Sequence, residues 1–257
     1  MAIIALTNQK GGVGKTTTAV NLAACLASMK ARPNVLLLDL DPQGNATTGM
    51  GVDKHSIELG MVDLLLDDVP INEAIIELED NAIRLIAANG DLTGAEVLLT
   101  QKEQGAFVLK EALSSIKSNF NYIIIDCPPS LNMLTLNALT ASDHVVVPVQ
   151  CEYYALEGLS ALMGTIEEVK KTTNPELDIL GILRTMYDGR NALSLQVSEN
   201  LQEHFGDKLL ETLIPRNVRL AEAPGFGESI IKYDPLSKGA IAYSDLAKEI
   251  SRRSKRK

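Results

Sequence analysis

The sequence predicts a doubly wound α/β fold, a mostly parallel sheet with helices on both faces. Short runs rich in Ile, Val and Leu alternate with helical stretches from start to finish, the rhythm of βαβ units. The interior material is aliphatic. Hydrophobic residues make up 46% of the chain, aromatics only 4%, and Trp is absent, a composition suited to strands buried on both faces. A glycine-rich turn joins the first apolar run to the first helical stretch, and in such sheets ligands bind beyond the carboxyl ends of strands. With 257 residues, the chain reads as one large domain, 1–257.

The elements follow in order. Residues 3–6 (IIAL) form the first strand and 16–29 the first helix. Further strands are expected at 34–40 (NVLLLDL), 83–88, 122–126 (YIIID), 144–149 (HVVVPV), 177–186 and 209–214. Helices are expected at 106–117, 131–140, 156–171, 193–204 and 240–253. The stretch 44–80 is the least regular and reads as a helical insertion. In the last helix, Ile241, Ala242, Leu246, Ala247 and Ile250 follow helical spacing and suit packing onto the sheet.

Composition excludes several classes. Cys25, Cys127 and Cys151 have no paired spacing and read as small buried hydrophobes in a reducing compartment, not as cluster ligands. No apolar run approaches membrane-spanning length. The start runs straight into a strand with no leader pattern, so a cytoplasmic protein is expected. The formal net charge of −9 argues against indiscriminate polyanion binding, although residues 251–257 carry five basic side chains.

The chemistry concentrates in Lys10-Gly11-Gly12-Val13-Gly14-Lys15-Thr16-Thr17. Glycines let a backbone approach phosphates, and the following helix aims free N–H groups at them. Lys15 is expected on the β- and γ-phosphates of a nucleoside triphosphate and the Thr16 hydroxyl on Mg²⁺. Asp126 ends an apolar strand, where a P-loop wants a metal-side carboxylate. The other reading of Asp126 is a helix cap, with Ser130 available to cap the next helix. Asp39 and Asp41, two apart, are expected on one face of a strand end. Like charges beside phosphates call for a metal, so ATP with Mg²⁺ is the expected cofactor pair.

The loop departs from the common pattern. Gln9 stands six residues before Lys15 and a second lysine, Lys10, sits inside. KGGVGKT in this form resembles the deviant Walker A loop of the ParA/MinD group. TNQKGGVGKTT, DLDPQGNAT, YIIIDCPPSL, PVQCEYYALEGL, IPRNVRLAEAPGFG and YDPLSKGA resemble chromosome-partitioning ATPases of the ParA/Soj type along the whole chain. The resemblance implies a P-loop ATPase that forms an ATP-dependent homodimer. Lys10 then reaches the partner's nucleotide, Asp39 positions the attacking water, and Asp41 serves the metal's outer sphere or a switch. Pro215, Arg216 and Asn217 match the family's base-binding turn, although Pro-Arg-Asn is by itself an ordinary turn.

The resemblance also implies non-specific binding to double-stranded DNA, nucleoid association and a ParB-type partner. Arg190 and Arg219 match best as DNA contacts, with Lys232, Lys238, Lys248 and Arg252 beside them and Arg184, Arg216 and Arg253 as further basic candidates. Lys248 and Arg252 lie one turn apart on one helix face. Glu228 and Leu236 stand where relatives often carry basic residues. A membrane-cycling ATPase of the MinD kind and a regulatory DNA-binding switch are the competing expectations. No stable membrane association is expected, because the last helix carries no Phe or Trp anchor.

Overall fold

The computed structural model describes residues 1–78 and 83–255. Its first strand, β1 (Ala2–Leu6), is buried at every residue, because it lies inside the sheet between β5 (Tyr122–Asp126) and β6 (His144–Gln150). A strand covered on both faces must be apolar throughout, which explains the unbroken run AIIAL. Completing the sheet are β2 (Val35–Asp39), β3 (Ile76–Glu77), β4 (Ile83–Ile86), β7 (Asp178–Tyr187) and β8 (Leu209–Pro215), in the order β3-β4-β2-β5-β1-β6-β7-β8. Every pairing is parallel except β3 with β4. The chain winds outward from β1 in one direction through β2 and β4 and in the other through β6 to β8. The topological switch point therefore lies at β1, where the rule for open sheets places a ligand.

Successive strand residues serve different cores. Ile3 and Ala5 join one apolar cluster, while Ala2, Ile4 and Leu6 join the other. The first cluster lies under α3 (Met61–Leu66), α4 (Leu92–Gln101), α5 (Val108–Ser114), α6 (Met133–Ala141), α7 (Ala155–Thr172) and α8 (Ala192–Phe205). The second lies under α1 (Lys15–Ala27), α2 (Asn45–Gly49), α9 (Val218–Glu222), α10 (Ile230–Tyr233) and α11 (Lys238–Arg253).

Several expectations need correction. Asn34 stays outside β2, and its carbonyl accepts from Asn121 N at 2.9 Å. Leu40 leaves the ladder too, though it is buried and its N–H donates to the Asp126 carbonyl at 2.9 Å. The irregular stretch 44–80 holds α2 and α3 as expected, but also the antiparallel edge strand β3; Glu79 and Asp80 lie outside the described residues. The helix α4 was not expected, since Gly94 and its threonines dilute the helical signal. It forms because Leu92, Ala95 and Leu99 bury one face. The cap of α6 is Asn132, whose side chain accepts from Thr135 N at 3.0 Å. Ser130 lends only its carbonyl, to the Thr135 hydroxyl at 2.6 Å. In α11, Ile241 is 55% exposed, and the buried face instead includes Tyr243, Leu246, Ala247 and Ile250.

Candidate functional site

The loop between β1 and α1 is held from behind by neighbouring strands. Asn8 Nδ2 donates to the Pro148 carbonyl at 2.7 Å, and Asn8 Oδ1 accepts from Lys10 N at 3.0 Å. Thr185 on β7 donates its hydroxyl to the Val13 carbonyl at 2.8 Å, and Val13 is buried. Gly12 (φ 74°) and Gly14 (φ 88°) adopt the left-handed region, which costs a glycine little. Helix α1 therefore starts from Gly14 with no side-chain cap and no acidic residue in its first turn. That leaves its N-terminal N–H groups for an anion.

Lys15 is buried, and its Nζ donates to the Lys10 carbonyl at 3.3 Å. Burial pushes its ammonium down from the ordinary value, and Asp126 is the strongest of the opposing charges. Asp39 and Asp126 face one another across adjacent strand ends, in register and fully buried. Neither Asp126 oxygen has a hydrogen-bond partner in the protein. Burial and the Asp39 charge push the Asp126 carboxyl well above the usual range, with the nearby Thr16 hydroxyl and Lys15 ammonium opposing. An orphaned buried carboxylate beside a lysine and a threonine hydroxyl suits a magnesium ion that also holds phosphate. Among the described residues no group of three acids, histidines or cysteines could hold a metal ion alone. Mg²⁺ characteristically takes one or two carboxylates plus substrate phosphates, so the donor set still fits.

Asp39 and Asp41 do not share a strand face as expected. Asp39 is the last residue of β2. Its Oδ2 accepts from Thr47 N and from the Thr47 hydroxyl, both at 2.8 Å. Burial pushes its carboxyl up to about 6, despite those hydrogen bonds. Asp41 lies past the strand, in a turn where its Oδ1 accepts from Gln43 N at 2.9 Å.

In front of these groups lies a cleft of about 720 Å³ lined by Gly11, Gly12, Gly14, Lys15, Thr16, Thr17 and Asp41 at one end. The other end is built from Ile214, Pro215, Arg216, Asn217, Val218, Leu220 and Tyr243. The volume is that of a small-molecule site, polar at the loop and apolar at the far end. Asn217 Oδ1 already accepts from Arg219 N at 2.9 Å as the cap of α9, so its amide NH₂ is the group left for a ligand. Sequence reasoning missed Thr185, Tyr243 and Thr47. Tyr243 sits on the apolar stripe of α11, a signal that the spacing did carry, and its hydroxyl meets that of Thr18 at 3.1 Å.

Lys10 points away from its own cleft edge and pairs with Glu152 at 2.6 Å, both side chains near 40% exposed (42% and 44%). Most of the other cations expected at the surface are also paired. Arg190 holds Asp188 through two hydrogen bonds of 3.0 Å, pulling that carboxyl down to about 2. Arg219 pairs with Glu222 and Asp234, Lys232 with Glu228, Lys248 with Asp245 and Arg252 with Glu211. Lys238, at the exposed start of α11, is in none of the ion pairs among the described residues. Arg184 and Arg253 are structural. The first donates to the Ser198 hydroxyl and the Leu210 carbonyl, the second to carbonyls of Leu180, Asp207 and Leu209. Of the basic tail, Arg256 and Lys257 lie outside the described residues.

A family model described as an AAA domain matches residues 1–179. Sporulation initiation inhibitor protein Soj of Bacillus subtilis is 55% identical over 249 residues, 97% of this chain and 98% of that protein. Chromosome-partitioning ATPase Soj of Thermus thermophilus is 53% identical over 250 residues, 97% and 95%. The chain belongs to the ParA/Soj family of chromosome-partitioning ATPases. The fold also matches a solved Mycobacterium smegmatis structure described as cobyrinic acid a,c-diamide synthase with bound ATP analog and magnesium. That match has a TM-score of 0.86 and 38% identity, over 100% of this chain and 96% of that one. This ParA/Soj protein thus carries the fold and the ATPase class that its loop implied. No helix among its described residues is long and apolar enough to cross a membrane.

Proposed function

We propose that this protein partitions chromosomes or plasmids as an ATP-gated dimerisation switch. The observation that carries the reading is the division of the two loop lysines. Lys15 is buried against the carboxylates at the foot of the cleft, while Lys10 stands at the rim on an exposed, exchangeable partner. Lys15, the backbone of 11–14 and the first turn of α1 hold the triphosphate. Thr16 and Asp126 hold the metal, with Asp41 in its outer sphere. Held there, Mg²⁺ would supply positive charge against the negative charge that develops on the transferred phosphoryl group. Asp39 orients the attacking water, and Pro215, Arg216 and Asn217 receive the base.

Lys10 leaves Glu152 on dimerisation and stabilises the transferred phosphoryl group of the partner's nucleotide, as a trans-acting cation does. Gly11 supports this reading. Its backbone is outside the left-handed region and a Cβ there would meet nothing within 4 Å, so nothing inside the monomer demands a glycine. A second protomer approaching closely would demand one. The ATP-bound dimer binds double-stranded DNA without sequence preference on the nucleoid, and a ParB-type partner stimulates hydrolysis and release. A membrane-cycling reading has less support, because the apolar face of α11 is already spent on α1 and β8.

Nucleotide affinity and hydrolysis measured on two variants test these roles. Lys15→Ala loses nucleotide binding. Asp39→Ala keeps ATP binding and dimerisation but loses turnover, and failure of Asp39→Ala to bind ATP would contradict its assigned role.

A further inference from the structure

Two segments far apart in the chain bound the cleft, the start of α1 with its loop and the turn 215–217 with the start of α9. A ligand with phosphates at one end and a base at the other needs both walls at a fixed spacing. Helix α11 touches both.

Tyr243 on α11 is buried and also lines the cleft. Its hydroxyl meets that of Thr18 at 3.1 Å, and Thr18, in the first turn of α1, is fully buried too. Each hydroxyl can donate or accept, and away from water neither is satisfied without a partner. Burial raises the Tyr243 phenol above its ordinary range, so it stays a neutral hydrogen-bonding group.

The other wall rests on the same helix. Leu220 is the one buried residue of α9, the short helix that Asn217 caps. It seats against Gly239. A Cβ on Gly239 would stand 2.8 Å from Leu220 Cγ, well inside the roughly 3.5–4.0 Å at which carbon atoms pack. Gly239 is not in the left-handed region, so the close approach of α9, rather than a turn, calls for glycine there. Residues 239 and 243 are four apart and share a helix face. One face of α11 therefore holds α1 through Tyr243 and α9 through Gly239.

We propose that Tyr243 is a positioning residue for nucleotide selectivity: its hydroxyl, held on Thr18, sets the span between the phosphate-binding loop and the base-binding turn. This rests on the reading given above that Pro215, Arg216 and Asn217 receive the base.

The test is calorimetric affinity for ATP and for inorganic tripolyphosphate, which carries phosphates and no base, both with Mg²⁺. Tyr243→Phe should weaken ATP about two- to tenfold, the scale of one buried hydrogen bond, while tripolyphosphate affinity holds. The loss is partial because Asn21 Oδ1 also ties α1 to the C-terminal segment, accepting from Ile230 N at 2.7 Å. Thr18→Val should match Tyr243→Phe, and Thr18→Ser should keep the wild-type ratio of the two affinities. The Tyr243→Phe/Thr18→Val double variant should be no worse than either single one, because the two hydroxyls form one contact. A wild-type ratio in Tyr243→Phe would overturn the proposal. So would equal losses for both ligands, an additive double variant, or a Thr18→Ser as weak as Thr18→Val. If thermal unfolding shows Tyr243→Phe to be unfolded, equal ratios in Thr18→Val and Thr18→Ser overturn it instead. Asn217→Ala separates the two ideas. A wild-type ratio there removes the base-binding turn itself, whereas a lowered ratio in Asn217→Ala beside a wild-type ratio in Tyr243→Phe removes only Tyr243.

Discussion

Lys10 and Lys15 are five residues apart and do opposite things, because the loop buries one and exposes the other. Lys15 is trapped between the Lys10 carbonyl and the aspartates. Lys10 is tethered by a half-exposed ion pair, and such pairs contribute about 0–1 kcal/mol in water. The tether is therefore weak enough to exchange for a partner's phosphate. Glu152→Gln should free Lys10 and raise ATP-dependent dimerisation or basal turnover by about two- to fivefold, read by stopped-flow light scattering and phosphate release. A variant indistinguishable from wild type would mean that the pair restrains nothing. Lys10, Lys15 and the acids could be read from the chain because each is fixed by its place after a strand. The Glu152 contact could not, since it joins residues 142 apart.

At the scale of elements, α11 closes the sheet. β8 is the edge strand, and an edge leaves N–H groups unpaired. Glu249, with its side chain 5% exposed, accepts from Glu211 N and Thr212 N, both at 2.9 Å, and from the Thr212 hydroxyl at 2.7 Å. Arg253 pairs with Oε1, the oxygen that also accepts from Glu211 N, at 2.9 Å. Burial alone would raise the Glu249 carboxyl, but the Thr212 hydroxyl, the two N–H groups and Arg253 hold it below its ordinary value of 4.5. Glu249→Ala should cost about 2–4 kcal/mol in urea unfolding, because it strands buried donors and a cation. The sign with pH follows from the lowered value. The contribution is present above the ordinary carboxylate range and is lost as pH falls through the folded-state value, below 4.5. Wild type should therefore lose stability on acidification more steeply than Glu249→Ala, and parallel pH profiles would contradict this.

The same scale shows what sequence reading reaches. Strands such as YIIID and HVVVPV are apolar runs, and the structure has them where their pattern put them. The helix α4 and strand β3 were illegible. The first has glycine and threonine in its span and the second is two residues long, so tertiary packing decides both.

For the whole molecule, the charge balance sets the hardest question. The net charge is −9, and Arg190, Arg219, Lys232, Lys248 and Arg252, five of the cations expected at DNA, already hold a carboxylate. The proposed DNA binding would have to exchange weak surface pairs for phosphates, on a surface that the proposed dimer would double. DNA retention should therefore require ATP, fall steeply with salt and ignore sequence. Arg190, with its side chain 91% exposed, is the most available of the paired cations. Arg190→Glu should abolish retention in filter binding while dimerisation persists, and salt-sensitive binding by that variant would place the interface elsewhere.

The central claim is that two copies of the chain complete each other's sites, Lys10 of one serving the nucleotide held beside Asp39 of the other. Mixing two inactive variants, Lys10→Ala and Asp39→Ala, tests it most directly. A mixed dimer contains one site with an intact Asp39 and an intact Lys10 from the opposite protomer, so an equimolar mixture should recover up to about one quarter of wild-type ATP turnover, as two-fold symmetry requires. A mixture as inactive as its separate components would contradict the account.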